Sequence, residues 1–133
     1  VGFPGESDAD FAHTRTLIDE LPFTYLHVFA YSDRKGTEAA RLRGHLEPHV
    51  VAARSRELRA LARAKNLAFR RSLAGTGQEV FVLETRDHQS GALVGLTGNY
   101  VEVVFAGPDS LMRQLARVRI SGVDGDRTLG VLE

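Results

Sequence analysis

The sequence has no cysteine and no tryptophan, one methionine and four prolines among 133 residues. The first absence excludes most: no disulfide, zinc ribbon or thiolate-held iron–sulfur cluster can form from these residues alone. No apolar run approaches the roughly 20 residues needed to cross a bilayer, and the N-terminus lacks the basic, apolar, small-residue order of a secretory signal. A cytoplasmic protein with no membrane association is expected. Valine stands first, inside an apolar-to-glycine transition, so the chain reads as a piece of a larger protein.

Net charge is zero, but it is unevenly spread. Residues 1–46 carry five basic and seven acidic side chains, residues 47–71 seven and two, and residues 72–133 five and eight. A basic island therefore sits between two acidic stretches. Such an island suits a phosphate partner, and it also suits an ordinary solvated helix face.

Local signals divide the chain into three parts: 1–46, 47–71 and 72–133. Val1–Gly5 reads as the end of a buried strand turning at Gly2-Phe3-Pro4-Gly5. Ser7 is a plausible N-cap with Asp10 three residues on, Phe11, Thr14, Leu17, Ile18 and Leu21 share one helical face, and Pro22 stops the helix. The β-branched and aromatic run Thr24–Tyr31 predicts a strand covered on both faces. Strand, helix, strand makes a βαβ unit, whose two strands end at the same edge, where α/β folds place their chemistry. Residues 38–46 are polar and irregular. Pro48 then opens a long helix through about residue 72, with Val50, Val51, Leu58, Leu61, Ala62 and Phe69 as its apolar stripe and seven cations over much of the remainder. From Gly75 on, alternating strands are predicted at 78–86, 92–97, 99–106, 115–123 and 127–132, a spacing that fits a small antiparallel barrel.

Few residues offer chemistry by themselves. His45 and His49 are four apart with no third ligand near, which is poor material for zinc. His27, within an apolar run, reads as a hydrogen-bonded core histidine. Gly75-Thr76-Gly77 precedes a strand instead of following one, so it reads as a linker turn and not a phosphate loop. From the residues alone the conclusion stops at a nucleic-acid-binding module beside part of an α/β domain.

Three stretches take it further. Val1-Gly2-Phe3-Pro4-Gly5-Glu6, with Asp10 and Phe11, resembles the VGFPGET-x-x-DF segment of the radical S-adenosylmethionine (SAM) methylthiotransferases. Leu21 to Ala40 resembles that family's LPF-x-YLHVFPYS-x-R-x-GTPAA stretch, departing at Ala30, Lys35 and Glu38, where proline is usual. Gly95-Leu96-Thr97-Gly98-Asn99-Tyr100 resembles the GYTDNY element of a TRAM domain, with Gly98 where aspartate is usual. The resemblance implies the last βαβ unit of a radical SAM partial TIM-type barrel (1–46), a basic linker helix (47–71) and a five-stranded OB-like TRAM barrel (72–133). The His27-containing strand resembles the branch acting on N6-threonylcarbamoyladenosine next to the tRNA anticodon. The isopentenyladenosine branch, the ribosomal-protein branch and a non-catalytic RNA-binding module are the alternatives.

By the same resemblance the parent is a transferase that uses SAM and two 4Fe-4S clusters to place a methylthio group on C2 of the modified adenine. It implies a monomeric full-length enzyme with the tRNA anticodon arm as partner. The clusters are not expected on these residues, nor is any catalytic residue or metal ligand, and the piece alone should be inactive. Gly2, Phe3, Gly5, Phe29, Tyr31, Ser32, Arg34 and Thr37 are the expected SAM and substrate rim. Because the barrel segment is slightly acidic, phosphate attraction falls to Arg63, Arg70 and Arg71 of the helix, with Asn99 and Tyr100 as barrel contacts to RNA.

Overall fold

In a computed structural model that describes residues 1–133, Ser7 caps the first helix, α1 (Asp8–Glu20), as the sequence predicts. The Ser7 hydroxyl accepts from the Asp10 N–H at 3.1 Å, and the Asp10 carboxylate accepts from the Ser7 N–H at 2.9 Å and from its hydroxyl at 2.7 Å. This reciprocal box uses aspartate where glutamate or glutamine is usual. The Ser7 hydroxyl, and then the Ser7 N–H, hold the Asp10 carboxyl below the ordinary aspartate value. A depressed pKa contributes stability that is complete above the ordinary value and lost as the pH falls through the depressed one. Acidification below pH ~4 should therefore fray the first turn of α1. Amide exchange at Asp10, followed by NMR from pH 6 to 2, should accelerate over that interval beyond its intrinsic pH dependence; unaltered protection at pH 2 would show that the box contributes nothing.

The segment after α1 corrects one expectation. Residues 24–31 form no ladder, and the chain bends at Thr24. Val1 donates its terminal ammonium to the Phe29 carbonyl at 2.9 Å, and Tyr31 N–H donates to the Val1 carbonyl at 2.8 Å. Those two bonds are one rung of a parallel pair, the direction a βαβ unit requires, and no second rung extends it. Burial is one-sided as well. Leu26 and Val28 are half-buried, whereas Tyr25, His27 and Phe29 are exposed on the alternate positions. Apolar composition favours a strand only where partners complete its hydrogen bonds, so propensity alone does not make one here. The structure thus shows no radical SAM barrel unit. His27 is not a core histidine: its ring lies between Tyr25, at 4.8 Å edge-on, and Phe29, stacked at 6.0 Å.

A short 3-10 turn at Ala39–Arg41 punctuates the irregular stretch, and Pro48 opens the long helix α2 (Pro48–Ser72) as expected. Two compact units are distinguished, Val1–Asn66 and Leu67–Glu133, with the division falling inside α2.

The second unit is a closed barrel of five strands: β1 (Gly77–Arg86), β2 (Leu93–Thr97), β3 (Glu102–Phe105), β4 (Leu115–Asp124) and β5 (Arg127–Leu132), in spatial order β1-β2-β3-β5-β4. Each falls where alternation placed it: five of the ten ends coincide, four differ by one residue, and β3 begins three residues later than expected. The pairing is antiparallel except at one seam, where β3 and β5 run parallel with Val104 opposite Leu129. That seam corrects the all-antiparallel expectation, because strands that are not sequence neighbours meet there and local patterning does not specify their direction. Inward positions Val80, Val82, Leu93, Val101, Val103, Phe105, Val118 and Ile120 form the core, with Phe69 and Leu73 from the end of α2 packed against it. Gly95 fits because it lacks a side chain: a Cβ there would lie 2.5 Å from a Val80 methyl.

Candidate functional site

In the first unit the Gly2–Gly5 turn is fixed by side chains from elsewhere. Gly2 is buried at φ +84°, and a Cβ there would meet the Val51 methyls at 2.7 Å. Its N–H donates to Glu6 Oε2 at 2.9 Å. The other Glu6 oxygen accepts from Arg54 at 2.5 Å, and the same guanidinium donates to the Glu6 carbonyl at 3.0 Å and to Asp8 Oδ1 at 2.6 Å. Arg54 is only 6% exposed and lies 5.2 Å from the centre of the Phe11 ring. Burial opposes its charge, but the bonds from Asp8 and Glu6 outweigh that and raise its pKa. By sequence Arg54 reads as one more surface cation. The signal that locates it is its place between Val51 and Leu58 on the apolar stripe of α2.

Tyr31 carries the next contacts. Its ring meets Phe3 edge-on at 5.3 Å, and its hydroxyl donates to Asp33 Oδ1 at 2.9 Å. His45 Nε2 reaches the same oxygen at 3.0 Å. The bonds from His45 and then Tyr31 hold the Asp33 carboxyl below the ordinary aspartate value, while burial and then the Asp33 bond push the Tyr31 phenol up. A cavity of about 300 Å³ opens beside these groups, lined among others by Gly2, Tyr31, Ser32, Asp33, His45 and Val51. Asp33 and His45 are not among the expected rim residues, and their separation along the chain hides the pairing.

The other expected rim residues are placed differently. Gly5 donates its N–H to the Gly44 carbonyl at 2.8 Å. Phe29 is 74% exposed. Thr37 closes a turn, donating to the Arg34 carbonyl at 2.9 Å and accepting from Ala40 N–H. Arg34 is exposed and makes no ion pair. No three histidine, cysteine, aspartate or glutamate side chains come together as a metal site, His45 and His49 included.

In the second unit Tyr100 occupies the β2–β3 turn at φ +63° and is 85% exposed. Thr97 holds that turn: its hydroxyl donates to Asn99 Oδ1 at 2.5 Å and accepts from Val101 N–H at 2.9 Å. Asn99 is therefore tied into the turn by its carbonyl oxygen, while the Tyr100 ring faces solvent. The barrel arginines are matched by carboxylates: Arg86 by Asp109, Arg113 by Glu84, Arg117 and Arg119 by Glu133, and Arg127 by Asp124 and Asp87.

Along α2, Arg63 and Arg71 are exposed with no ion pair. Arg70 differs. It is 9% exposed and donates to the Gly125 carbonyl at 3.2 Å, so its guanidinium is committed to the β4–β5 turn.

No protein-family model matches the chain. A tRNA-2-methylthio-N(6)-dimethylallyladenosine synthase of Moorella thermoacetica is 36% identical over 121 residues, 91% of this chain and 27% of that protein. A threonylcarbamoyladenosine tRNA methylthiotransferase of Bacillus subtilis is 34% identical over 122 residues, 90% of this chain and 27% of that protein. A tRNA-2-methylthio-N(6)-dimethylallyladenosine synthase of Pelotomaculum thermopropionicum is 33% identical over 132 residues, 99% of this chain and 30% of that protein. The chain spans less than a third of the length of these relatives.

Proposed function

We propose, from a homology to tRNA methylthiotransferases that runs over nine-tenths of the chain, that these residues serve an enzyme of that family as part of its cofactor rim and as its tRNA-binding part. The barrel holds the anticodon arm, and the exposed Tyr100 carries that reading: a ring presented to solvent on a rigid hairpin is what base stacking requires. Charge comes from Arg63 and Arg71 of α2, because the barrel arginines are already paired. Arg70 drops out of the RNA face because its guanidinium is buried against the β4–β5 turn.

The iron–sulfur clusters find no cysteine ligand among these residues. SAM fits better. The cavity beside Gly2 and Tyr31 combines an aromatic ring, a hydroxyl, a carboxylate and an apolar wall, a mixture suited to a nucleoside or amino-acid end. When bound, SAM supplies the methyl group and the source of the radical. Gly2, Phe3, Tyr31 and Ser32 would contact it, and Glu6 and Arg54 hold the turn that presents them.

The threonylcarbamoyladenosine branch is the finer assignment, resting on the resemblance of the segment around His27. The dimethylallyladenosine branch is the second reading, favoured by the relatives of that name at 33–38% identity. Mass spectrometry of tRNA from cells with and without the full-length gene separates them by which modified adenosine loses its methylthio group.

For the barrel, Tyr100→Ala should weaken binding of an anticodon-arm RNA by roughly 1–3 kcal/mol with little change in salt dependence. Circular dichroism should show an intact barrel, since the ring buries almost nothing. Wild-type affinity in this variant would remove Tyr100 from the interface.

A further inference from the structure

We propose that the Tyr31–Asp33–His45 cluster makes the first unit's cavity a subsite for a small ligand bearing an ammonium group on an apolar body. The proposal rests on the cofactor reading above only for the identity of its natural ligand.

The cluster leaves acceptors unused. Asp33 Oδ1 receives both the Tyr31 hydroxyl, at 2.9 Å, and His45 Nε2, at 3.0 Å. Oδ2 has no protein donor, and the side chain is about half exposed at the cavity. An ionised carboxylate accepts only, so His45 Nε2 carries the proton in that bond. The carboxylate is kept ionised by the bonds that also orient it. Acceptors and one negative charge repel phosphates and carboxylates and favour a cation that donates several N–H bonds.

The rest of the cavity has the opposite character. Ala30, Leu46, Pro48, Val51 and Ala52 line it with apolar surface, and its volume of about 300 Å³ suits a body of a few to a dozen or so heavy atoms. Polar groups at one end and aliphatic surface at the other describe an amphipathic amine. Gly2 keeps that wall close, because it packs against Val51 with no room for a Cβ. Tyr31 and His45 act as positioning residues for Asp33, which makes the charged contact.

The test uses the 133-residue chain with ¹³C- and ¹⁵N-labelled aspartate and histidine. Three probes are titrated at fixed pH: 3-(methylthio)propylamine, an ammonium on an apolar thioether; SAM; and 5′-methylthioadenosine, which has no ammonium. The amine and SAM should shift the Asp33 carboxyl and His45 ring resonances saturably, and methylthioadenosine should bind at least about tenfold more weakly. Asp33→Asn, isosteric but uncharged, should weaken the amine and SAM by roughly tenfold or more, as expected for loss of a charged hydrogen bond. Binding of the amine but not of SAM upholds the subsite and removes the cofactor assignment. SAM binding equally to wild type and Asp33→Asn upholds the cofactor assignment and overturns the subsite. Binding of neither overturns both. If Asp33→Asn fails to fold, the wild-type Asp33 and His45 shifts decide alone, and their absence at saturating amine overturns the proposal.

Discussion

Phe105→Ala should cost the barrel about 3–5 kcal/mol, a large share of the ~5–15 kcal/mol typical of a whole domain. Phe105 is 2% exposed and belongs to the barrel core, at the end of the strand that pairs antiparallel with β2 and parallel with β5. Truncation leaves a cavity that these paired strands cannot collapse to fill. Phe81 supplies the control. It lies on β1, faces outward and is 46% exposed, so Phe81→Ala should cost roughly 1 kcal/mol or less. Urea unfolding followed by circular dichroism distinguishes the two. Equal costs would mean that the inward and outward faces of β1 and β3 are misassigned.

Arg54→Met should destabilise the first unit by about 3 kcal/mol, the lower part of the range for breaking a buried ion pair. The lower part applies because Asp8 is fully exposed and recovers its water, whereas Glu6, at 18% side-chain exposure, does not. The remaining Glu6 oxygen still accepts from Gly2, so the loss should centre on the turn between Gly2 and Asp8. Arg54→Lys keeps the charge but replaces the fork that reaches Glu6 and Asp8 from two nitrogens by a single nitrogen, and should fall between wild type and Arg54→Met. Hydrogen exchange at Gly2 and through the first turn of α1 reads this directly. Protection unchanged in Arg54→Met would show that the turn is held by packing on Val51 alone.

What the sequence discloses follows from how local each signal is. Ser7 with Asp10, Pro22 and Pro48 mark helix ends through their own backbone chemistry, and all three marks hold. Alternation from Val80 to Val82 and from Val118 to Ile120 places the barrel strands, because a period of two has one reading when one face is buried. Contacts between distant segments stay hidden. Arg54 looks like any helix cation until the fold brings Glu6, 48 residues away, to it. Arg70 reaches Gly125 across 55 residues, and the parallel β3–β5 seam likewise has no local mark. The run 24–31 shows the reverse error: strong strand propensity in a segment that finds one rung of partner. In the cavity, Gly2, Tyr31 and Ser32 fall within the stretches that carry the motif resemblance, while His45 joins them only through the fold, which puts Tyr31 and His45 on one Asp33 oxygen.

The most direct test of the tRNA-binding role is the affinity of the 133-residue chain for an anticodon-arm RNA measured as a function of salt. Log K should fall with log salt, and Arg63→Gln with Arg71→Gln should together reduce the slope by up to about 1.8, at about 0.9 for each phosphate left without its arginine. Arg70→Gln should instead lower barrel stability without a separate effect on slope. If the doubly substituted chain binds with wild-type affinity and slope, or if the wild-type chain shows no salt-dependent binding, then α2 is only a solvated helix face and the tRNA-binding role is contradicted.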